Sequence, residues 1–111
     1  MSEVRIDAAV FGELQETAGA DFVGELVGTF LEEAPTMLSA LRAALAGGDA
    51  EGFRRAAHSL KSNASTFGAM ALAAQARALE LGGLPGDAAG LAALEAEYAQ
   101  VARELQERVG G

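Results

Sequence analysis

The sequence predicts an all-α protein, an antiparallel four-helix bundle with a short additional N-terminal helix. Apolar residues make up 50% of the 111-residue chain, mostly as Ala and Leu, while aromatic residues make up 5% and β-branched residues are sparse. This composition favours helix over strand. Apolar positions also recur every three or four residues, which is the period of an amphipathic helix. A chain of this length builds one hydrophobic core, so we expect a single domain over residues 1–111.

The first helix is predicted to begin after Asp7 and to end near Gly19. Asp7 is a favourable N-cap because its carboxylate can accept hydrogen bonds from the first free backbone N–H groups. Ile6 and Phe11 have the spacing of a hydrophobic staple around that cap. The pattern therefore predicts a short helix with a defined start.

The second helix is predicted from about Asp21 to Ala46. Pro35 lies in its middle, and a proline inside a helix removes one backbone hydrogen bond and crowds the preceding turn. The apolar period nevertheless continues through Pro35 without a change of phase. We therefore expect one bent helix, about 39 Å long at 1.5 Å per residue. Its predicted apolar stripe consists of Phe22, Leu26, Phe30, Ala34, Leu38, Leu41 and Leu45.

Three further helices complete the predicted bundle. The third begins after the cap Asp49 and runs to Phe67, the fourth covers Met70 to Leu81, and the fifth follows the cap Asp87. The glycine-rich stretch 82–90 lacks the Gly-Lys-Ser/Thr ending of a phosphate-binding loop, so we interpret it as a turn between helices. The apolar face of the fifth helix consists of Leu91, Leu94, Tyr98, Val101 and Leu105, with Tyr98 expected in the core and its hydroxyl at the rim.

Composition excludes several classes of function. A formal charge of -8 disfavours nucleic acid as a partner, since binding to phosphates depends on clustered Lys and Arg. The chain has no cysteine and a single histidine, which leaves no usual ligand set for a transition metal. No apolar run approaches the roughly 20 residues of a membrane helix, and residues 1–5 lack the start of a secretory signal. We therefore expect a cytoplasmic protein with no membrane partner.

The single histidine, His58, falls on the third helix, on the side opposite its apolar stripe. Most of its predicted neighbours on that side are basic or small, and one is acidic: Glu51, Arg54, Arg55, Lys61, Ser62 and Ser65. A positive surface of low relief suits a phosphoryl group or a negatively charged partner that must approach closely. Neutral imidazole is a nucleophile, and the N–P bond that it forms remains reactive. The alternative interpretation is an ordinary solvated surface histidine.

Residues 58–68 read His-Ser-Leu-Lys-Ser-Asn-Ala-Ser-Thr-Phe-Gly. This motif resembles the histidine-containing phosphotransfer (HPt) domain of bacterial multistep phosphorelays, in which the histidine precedes x-Leu/Ile-Lys-Gly/Ser, small residues, an apolar residue and glycine. The resemblance extends over nearly the whole chain, because the family also has a proline-containing acidic stretch like residues 30–35 and an apolar-acidic pair like Leu79-Glu80.

The resemblance implies a role for each matching position. His58 would accept a phosphoryl group from an aspartyl phosphate, Lys61 would assist electrostatically, and Gly68 would end the helix. Arg54, Arg55, Ser62 and Ser65 are then the expected partner-docking surface. Ser62 stands where glycine is most typical, so a partner would approach somewhat more tightly. Glu80 matches a position where some members have a glutamine near the histidine; a carboxylate there could accept a hydrogen bond from the imidazole but would repel a phosphate.

The implied partners are receiver domains of response regulators and of a hybrid sensor kinase. The resemblance implies no cofactor in this chain, and Mg²⁺ is expected in the receiver, where charge must be stabilised during phosphoryl transfer. The chain itself is expected to be a monomeric relay intermediate and not a kinase, because its sequence has no nucleotide-binding loop.

Two other functions remain open from the sequence. The dimerisation and phosphoacceptor domain of a sensor histidine kinase is also helical, but it usually has an acidic residue and a proline just after its histidine, whereas His58 is followed by Ser-Leu-Lys-Ser. A pure interaction module would keep the bundle and the docking face without carrying phosphate.

Overall fold

Five α-helices form the part of the chain that the computed structural model describes, residues 5–110. They are α1 (Ala8–Ala18), α2 (Ala20–Gly47), α3 (Ala50–Thr66), α4 (Met70–Leu81) and α5 (Ala89–Gly110). No strand occurs between residues 5 and 110, which confirms the predicted all-α class. None of these helices is both long and apolar enough to cross a membrane. Residues 1–4, to which the prediction about a secretory signal applies, lie outside the described range.

Helices α2 to α5 form a four-helix bundle in which each of them packs against two of the others. Helix α3 packs against α2 and α4, and α5 packs against the same two helices from the other side. Within residues 5–110, no Cα atom of α3 lies within 8 Å of a Cα atom of α5, so these two helices lie diagonally across the bundle. The short helix α1 contacts α2 and α3. The predicted four-helix bundle with an additional N-terminal helix is therefore confirmed.

Aromatic rings join the helices at one level of the core. The Phe30 ring of α2 lies 5.4 Å from that of Phe67, at the end of α3, and 6.0 Å from that of Tyr98 on α5 in an edge-on arrangement. Phe30 and Phe67 are buried, and Tyr98 is half-buried. Burial raises the pKa of the Tyr98 hydroxyl. Tyr98 thus belongs to the core, as predicted.

Helix α2 is continuous through Pro35, which confirms the prediction of one helix. It begins at Ala20, one residue before the predicted Asp21, because Gly19 adopts φ +92° and turns the chain directly from α1 into α2. The predicted apolar stripe was wrong at its start, since Phe22 is 51% exposed and Leu26 is only partly buried. Their neighbours in the sequence face the core instead, namely Val23 and Val27.

Local side chains fix the start of α1. The Asp7 carboxylate accepts hydrogen bonds from the backbone N–H groups of Ala9 and Val10, at 2.9 and 3.2 Å. Ile6 and Phe11 flank this cap and are both buried. The predicted cap and the buried residues of the predicted staple are therefore present in the structure.

Residues 5–7, which we call the N-terminal strap, are bonded to α5. The Glu104 carboxylate accepts hydrogen bonds from the backbone N–H groups of Arg5 at 2.7 Å and of Ile6 at 3.1 Å. The Arg5 guanidinium also forms an ion pair with the buried Glu97, at 2.9 Å. Charged acceptors make such hydrogen bonds stronger than neutral ones. The strap is thereby held across the end of the bundle.

Gly68 connects the end of α3 to the strap. Helix α3 ends at Thr66, and Gly68 follows with φ +80°. The backbone N–H of Asp7 donates a hydrogen bond to the Gly68 carbonyl, at 2.8 Å. A Cβ atom on Gly68 would lie 3.0 Å from the Asp7 carbonyl oxygen and 3.1 Å from the Val10 Cβ. Both the left-handed backbone and the close approach therefore require glycine here.

We expect Gly68→Ala to lower the free energy of unfolding by at least about 1–2 kcal/mol, because an L-residue is strained in the left-handed region and the new Cβ would press on the strap. Urea denaturation measures this change. Gly12→Ala is the matched control: it lies within α1 with open space around its Cβ position. That substitution should stabilise by about 0.5–1 kcal/mol. Equal changes in the free energy of unfolding would contradict the conclusion that position 68 requires glycine.

Candidate functional site

His58 lies on the outer face of α3. Its side chain is 54% exposed, whereas Leu60, on the opposite side of the helix, is fully buried. The apolar residues that turn α3 towards the core are Phe53, Ala57, Leu60 and Ala64. The alternation of these residues with polar ones fixes the rotation of the helix, so the imidazole is presented to solvent.

Glu80 of α4 holds one edge of the imidazole ring. The His58 Nδ1 atom lies 2.7 Å from Glu80 Oε2, and the two residues are 22 positions apart in the sequence. An ionised carboxylate can only accept hydrogen bonds, so Nδ1 must carry the proton in this contact. In the neutral ring the lone pair then resides on Nε2. The contact thus selects the tautomer in which Nε2 is unprotonated.

Lys61 contacts the other oxygen of the same carboxylate. Its Nζ atom lies 2.8 Å from Glu80 Oε1, and its side chain is 26% exposed. A helical wheel of α3 alone places Lys61 on the solvent side, but α4 packs along this flank and partly covers it. Lys61 and His58 are therefore joined through Glu80.

The charge state of Glu80 follows from these two contacts. Its side chain is only 10% exposed. Contacts with the Lys61 ammonium first, and with the His58 imidazole second, hold the pKa of the Glu80 carboxyl below its ordinary value, although partial burial opposes this. Glu80 is therefore a carboxylate at neutral pH, as an acceptor for the Nδ1 proton must be.

The predicted docking residues surround this group on the exposed side of α3. Arg54 is paired with Glu51, one turn earlier on the same helix, so part of its charge is neutralised. Arg55, Ser62 and Ser65 are exposed. No carboxylate of residues 5–110 lies within ion-pair distance of Arg55. The positive charge of this surface therefore comes mainly from Arg55 and from the part of the Lys61 charge that Glu80 does not neutralise.

The sequence does not reveal the exposure of two residues, Arg77 and Phe22. Arg77 lies on α4 one turn before Glu80 and adds a cation to the same helix. Phe22 lines a shallow surface groove together with Leu26 and Thr29, between the carboxylates of Glu25 and Glu32. The position of Arg77, three residues before Glu80, could have indicated that both lie on one side of α4. Nothing in the local pattern distinguished Phe22 from a core residue.

No metal centre accompanies the site in the described range. Among residues 5–110 there is no group of three His, Asp or Glu side chains placed to hold a metal ion. The chemistry that this chain offers is therefore a nucleophilic ring nitrogen, an acidic anchor and a nearby ammonium group.

Two comparisons with known proteins found a match. Residues 25–104 match the Hpt domain family. One solved structure, that of histidine-containing phosphotransfer protein B (HptB) from Pseudomonas aeruginosa PAO1, is 33% identical in sequence and superposes with a TM-score of 0.85, covering 98% of this chain and 97% of that one. No match was found among curated proteins.

The family match includes helices α3 and α4 entirely, and with them His58, Lys61, Gly68 and Glu80. Hpt proteins are phosphotransfer intermediates of phosphorelays, in which they interact with receiver domains. The described fold is the helical bundle that the HptB structure shares over almost its whole length. The chain belongs to the Hpt domain family, and its function is histidine phosphotransfer in a phosphorelay.

Proposed function

We propose that His58 is the phosphoacceptor and that it reacts through Nε2. The observation that supports this most directly is the 2.7 Å contact between His58 Nδ1 and Glu80, which occupies one ring nitrogen and leaves the other free to react. The 54% exposure of the side chain allows a second protein to reach it. His58 is also the single histidine of the chain.

The proposed step is reversible transfer from the acceptor aspartate of a receiver domain. The Nε2 lone pair attacks phosphorus, the bond between phosphorus and the aspartyl oxygen breaks, and its electron pair remains on the aspartate carboxylate. The return step breaks the N–P bond and restores the lone pair to Nε2. Mg²⁺ in the receiver supplies charge stabilisation during both steps. This chain provides the nucleophile and the docking surface, and no nucleotide site is needed.

The exposed side of α3 is the proposed docking surface, with Arg55, Ser62 and Ser65 around His58. Arg54 adds only part of its positive charge, because it is paired with Glu51. Small serines keep the surface low, and cations attract the acidic pocket of a receiver. The proposed partners are receiver domains of response regulators and of a hybrid sensor kinase. In this proposal the protein is a monomer in the cytoplasm. Light scattering checks the monomeric state, since a sensor-kinase dimerisation domain would be a stable dimer.

The acceptor assignment is tested with a receiver domain carrying labelled phosphate. On mixing, label should pass to this protein, be lost in acid, resist alkali, and be recovered on the peptide that contains residue 58. Transfer of label to a peptide from another helix would overturn the assignment. A failure of any label to pass from several receivers of the same genome would argue instead for an interaction module.

We expect Lys61→Ala to slow transfer several-fold with little effect on stability. The ammonium helps to balance the phosphoryl charge, whereas its ion pair with Glu80, in which the Lys61 side chain is partly exposed, contributes only about 1 kcal/mol to folding. Transfer rates and urea denaturation measure the two effects. Arg103→Ala removes an exposed cation from α5, on the far side of the bundle from α3, and should leave the rate unchanged. Wild-type rates in Lys61→Ala would remove Lys61 from the mechanism.

A further inference from the structure

We infer that Arg54 binds the phosphoryl group once that group is on His58, and that Glu51 retains Arg54 until then. This inference rests on the proposed role of His58 as phosphoacceptor. It gives Arg54 a function in stabilising the phosphorylated protein, beyond its part in the docking surface. It also gives Glu51 a function, which is to set how readily that arginine becomes available.

Arg54 and His58 lie one turn apart on the same side of α3. Residues four apart on a helix are neighbours on its surface, with Cβ atoms about 5–6 Å from each other. Side chains of a helix also lean towards its N-terminus, so the imidazole extends over the turn that carries Arg54. Lys61 lies beyond His58 in the other direction, and on a helical wheel it is only about 20° from Arg54. Two cations therefore bracket the ring on the flank of α3 that faces Glu80 of α4.

The Arg54 guanidinium already lies near this site in the unphosphorylated protein. Its hydrogen bond to the Glu51 carboxylate is the largest cause that raises the pKa of Arg54, and the negative charge of Glu80 adds to the effect. Glu80 is the residue that contacts His58, at 2.7 Å. Arg54 therefore has to exchange one partner for another on the same surface in order to reach a group on His58.

The pair between Arg54 and Glu51 is exposed. The Arg54 Nε atom donates a hydrogen bond to Glu51 Oε2 at 3.3 Å, and Nη2 contacts the other carboxylate oxygen. The side chains of Arg54 and Glu51 are 50% and 61% exposed. Exposed pairs contribute little to stability, because water screens both charges. Lys61 is instead paired with Glu80, whose side chain is only 10% exposed. Of these two cations, Arg54 is the one that can leave its carboxylate at the lower cost.

Glu51 does not depend on Arg54 alone to remain a carboxylate. It lies in the first turn of α3, where the helix dipole favours a negative charge. The pKa of its carboxyl is lowered chiefly by Arg54, and the charge of Arg55 lowers it further. Release of Arg54 therefore leaves Glu51 in a favourable environment.

A phosphoryl group on Nε2 of His58 is a better partner for a guanidinium than the Glu51 carboxylate is. Phosphorylated side chains carry a charge of about −1.5 to −2 at neutral pH and have three acceptor oxygens. The planar guanidinium of Arg54 can donate two parallel hydrogen bonds to such a group. Arrival of the phosphoryl group therefore draws Arg54 away from Glu51, and transfer back to a receiver restores the pair.

The experiment measures the equilibrium of phosphoryl exchange between a receiver domain and this protein. Label from the receiver is allowed to distribute between the two proteins at fixed pH and Mg²⁺, and the ratio of the labelled forms is determined. That ratio depends on the stabilities of the free proteins, so a residue that acts only in docking changes the rate and not the ratio. We expect Arg54→Ala to shift the equilibrium constant about threefold towards the receiver, the size expected for an exposed charge pair.

Glu51→Gln is expected to act in the opposite direction. It keeps the size of the side chain but removes the charge that retains Arg54, so the equilibrium constant should shift about twofold towards phosphorylated His58. In the Arg54→Ala background, Glu51→Gln should have no further effect, because the residue that it releases is absent. A Glu51→Gln effect of the same size with and without Arg54 would overturn the role of Glu51.

Arg103→Ala is the matched control, because it removes an exposed cation from α5, the helix diagonally opposite α3. It should keep the wild-type equilibrium constant. An unchanged equilibrium constant in Arg54→Ala would overturn the inference while leaving His58 as the phosphoacceptor. Absence of label on the wild-type protein would instead overturn the proposed function.

A second measurement uses the wild-type protein and does not depend on the folding of any variant. Nitrogen-15 NMR follows the guanidinium N–H groups of Arg54 before and after phosphorylation. Exchange of the carboxylate for the phosphoryl group should move these resonances, whereas those of Arg103 should stay in place. Arg54 resonances that phosphorylation leaves unchanged would overturn the inference directly.

Discussion

His58→Gln is expected to abolish phosphoryl acceptance while the bundle remains folded. The substitution removes the single imidazole of the chain and leaves an amide that is not a nucleophile. The side chain of His58 is 54% exposed and makes its polar contact at the surface, so the free energy of unfolding should change by less than about 1 kcal/mol. Transfer from a labelled receiver and urea denaturation measure the two quantities on the same samples.

The control for His58→Gln is Ser59→Ala, an exposed substitution at the adjacent position of α3. It should accept label as wild type does, because Ser59 has no part in the proposed step. Acid-labile label on His58→Gln, at wild-type yield, would refute His58 as the acceptor. Loss of label accompanied by unfolding would be recognised from the denaturation curve, and His58→Asn would then repeat the test with a shorter amide.

Phe67→Ala is expected to lower the free energy of unfolding by about 3–5 kcal/mol, the largest stability effect among the substitutions considered. Phe67 is buried at the end of α3, and its ring lies 5.4 Å from that of Phe30. Truncation would leave a cavity between α2 and α3 and remove an aromatic pair. Denaturation with urea measures the loss, which is large relative to the 5–15 kcal/mol that typically holds a domain folded.

Phe22→Ala removes the same ring from the surface of α2. Because Phe22 is 51% exposed, we expect a change within about 1 kcal/mol. Both substitutions remove the same side chain, so any difference between their effects on stability comes from the difference in burial. If both substitutions lowered the free energy of unfolding equally, the conclusion that Val23 and not Phe22 faces the core would be wrong.

The features that sequence predicted well are those that nearby residues determine. Asp7 and Asp49 begin α1 and α3 through bonds to backbone groups two or three positions away. The Asp87 carboxylate accepts a hydrogen bond from the backbone N–H of Ala89, where α5 begins. The exposure of His58 followed from the apolar stripe of one helix. None of these needs knowledge of how helices pack.

The features that sequence did not predict depend on the register between helices. Residues 22 and 23 of α2 both fit an apolar period of three or four, and only packing against neighbouring helices decides which turns inward. The group of His58, Lys61 and Glu80 likewise requires α4 to lie alongside α3 at one level. A wheel of α3 therefore placed Lys61 in solvent, whereas α4 supplies its partner.

The N-terminal strap also shapes how the chain folds. Its bonds to Glu104 join residues 98 and 99 positions apart, in a bundle whose contacts lie mostly between consecutive helices. The entropy cost of closing a loop grows slowly with its length, by about 0.6 kcal/mol for each doubling, and contacts of high sequence separation slow folding. We expect the strap to close after α5 has docked. Bonds that form so late hold the native state mainly by slowing its unfolding.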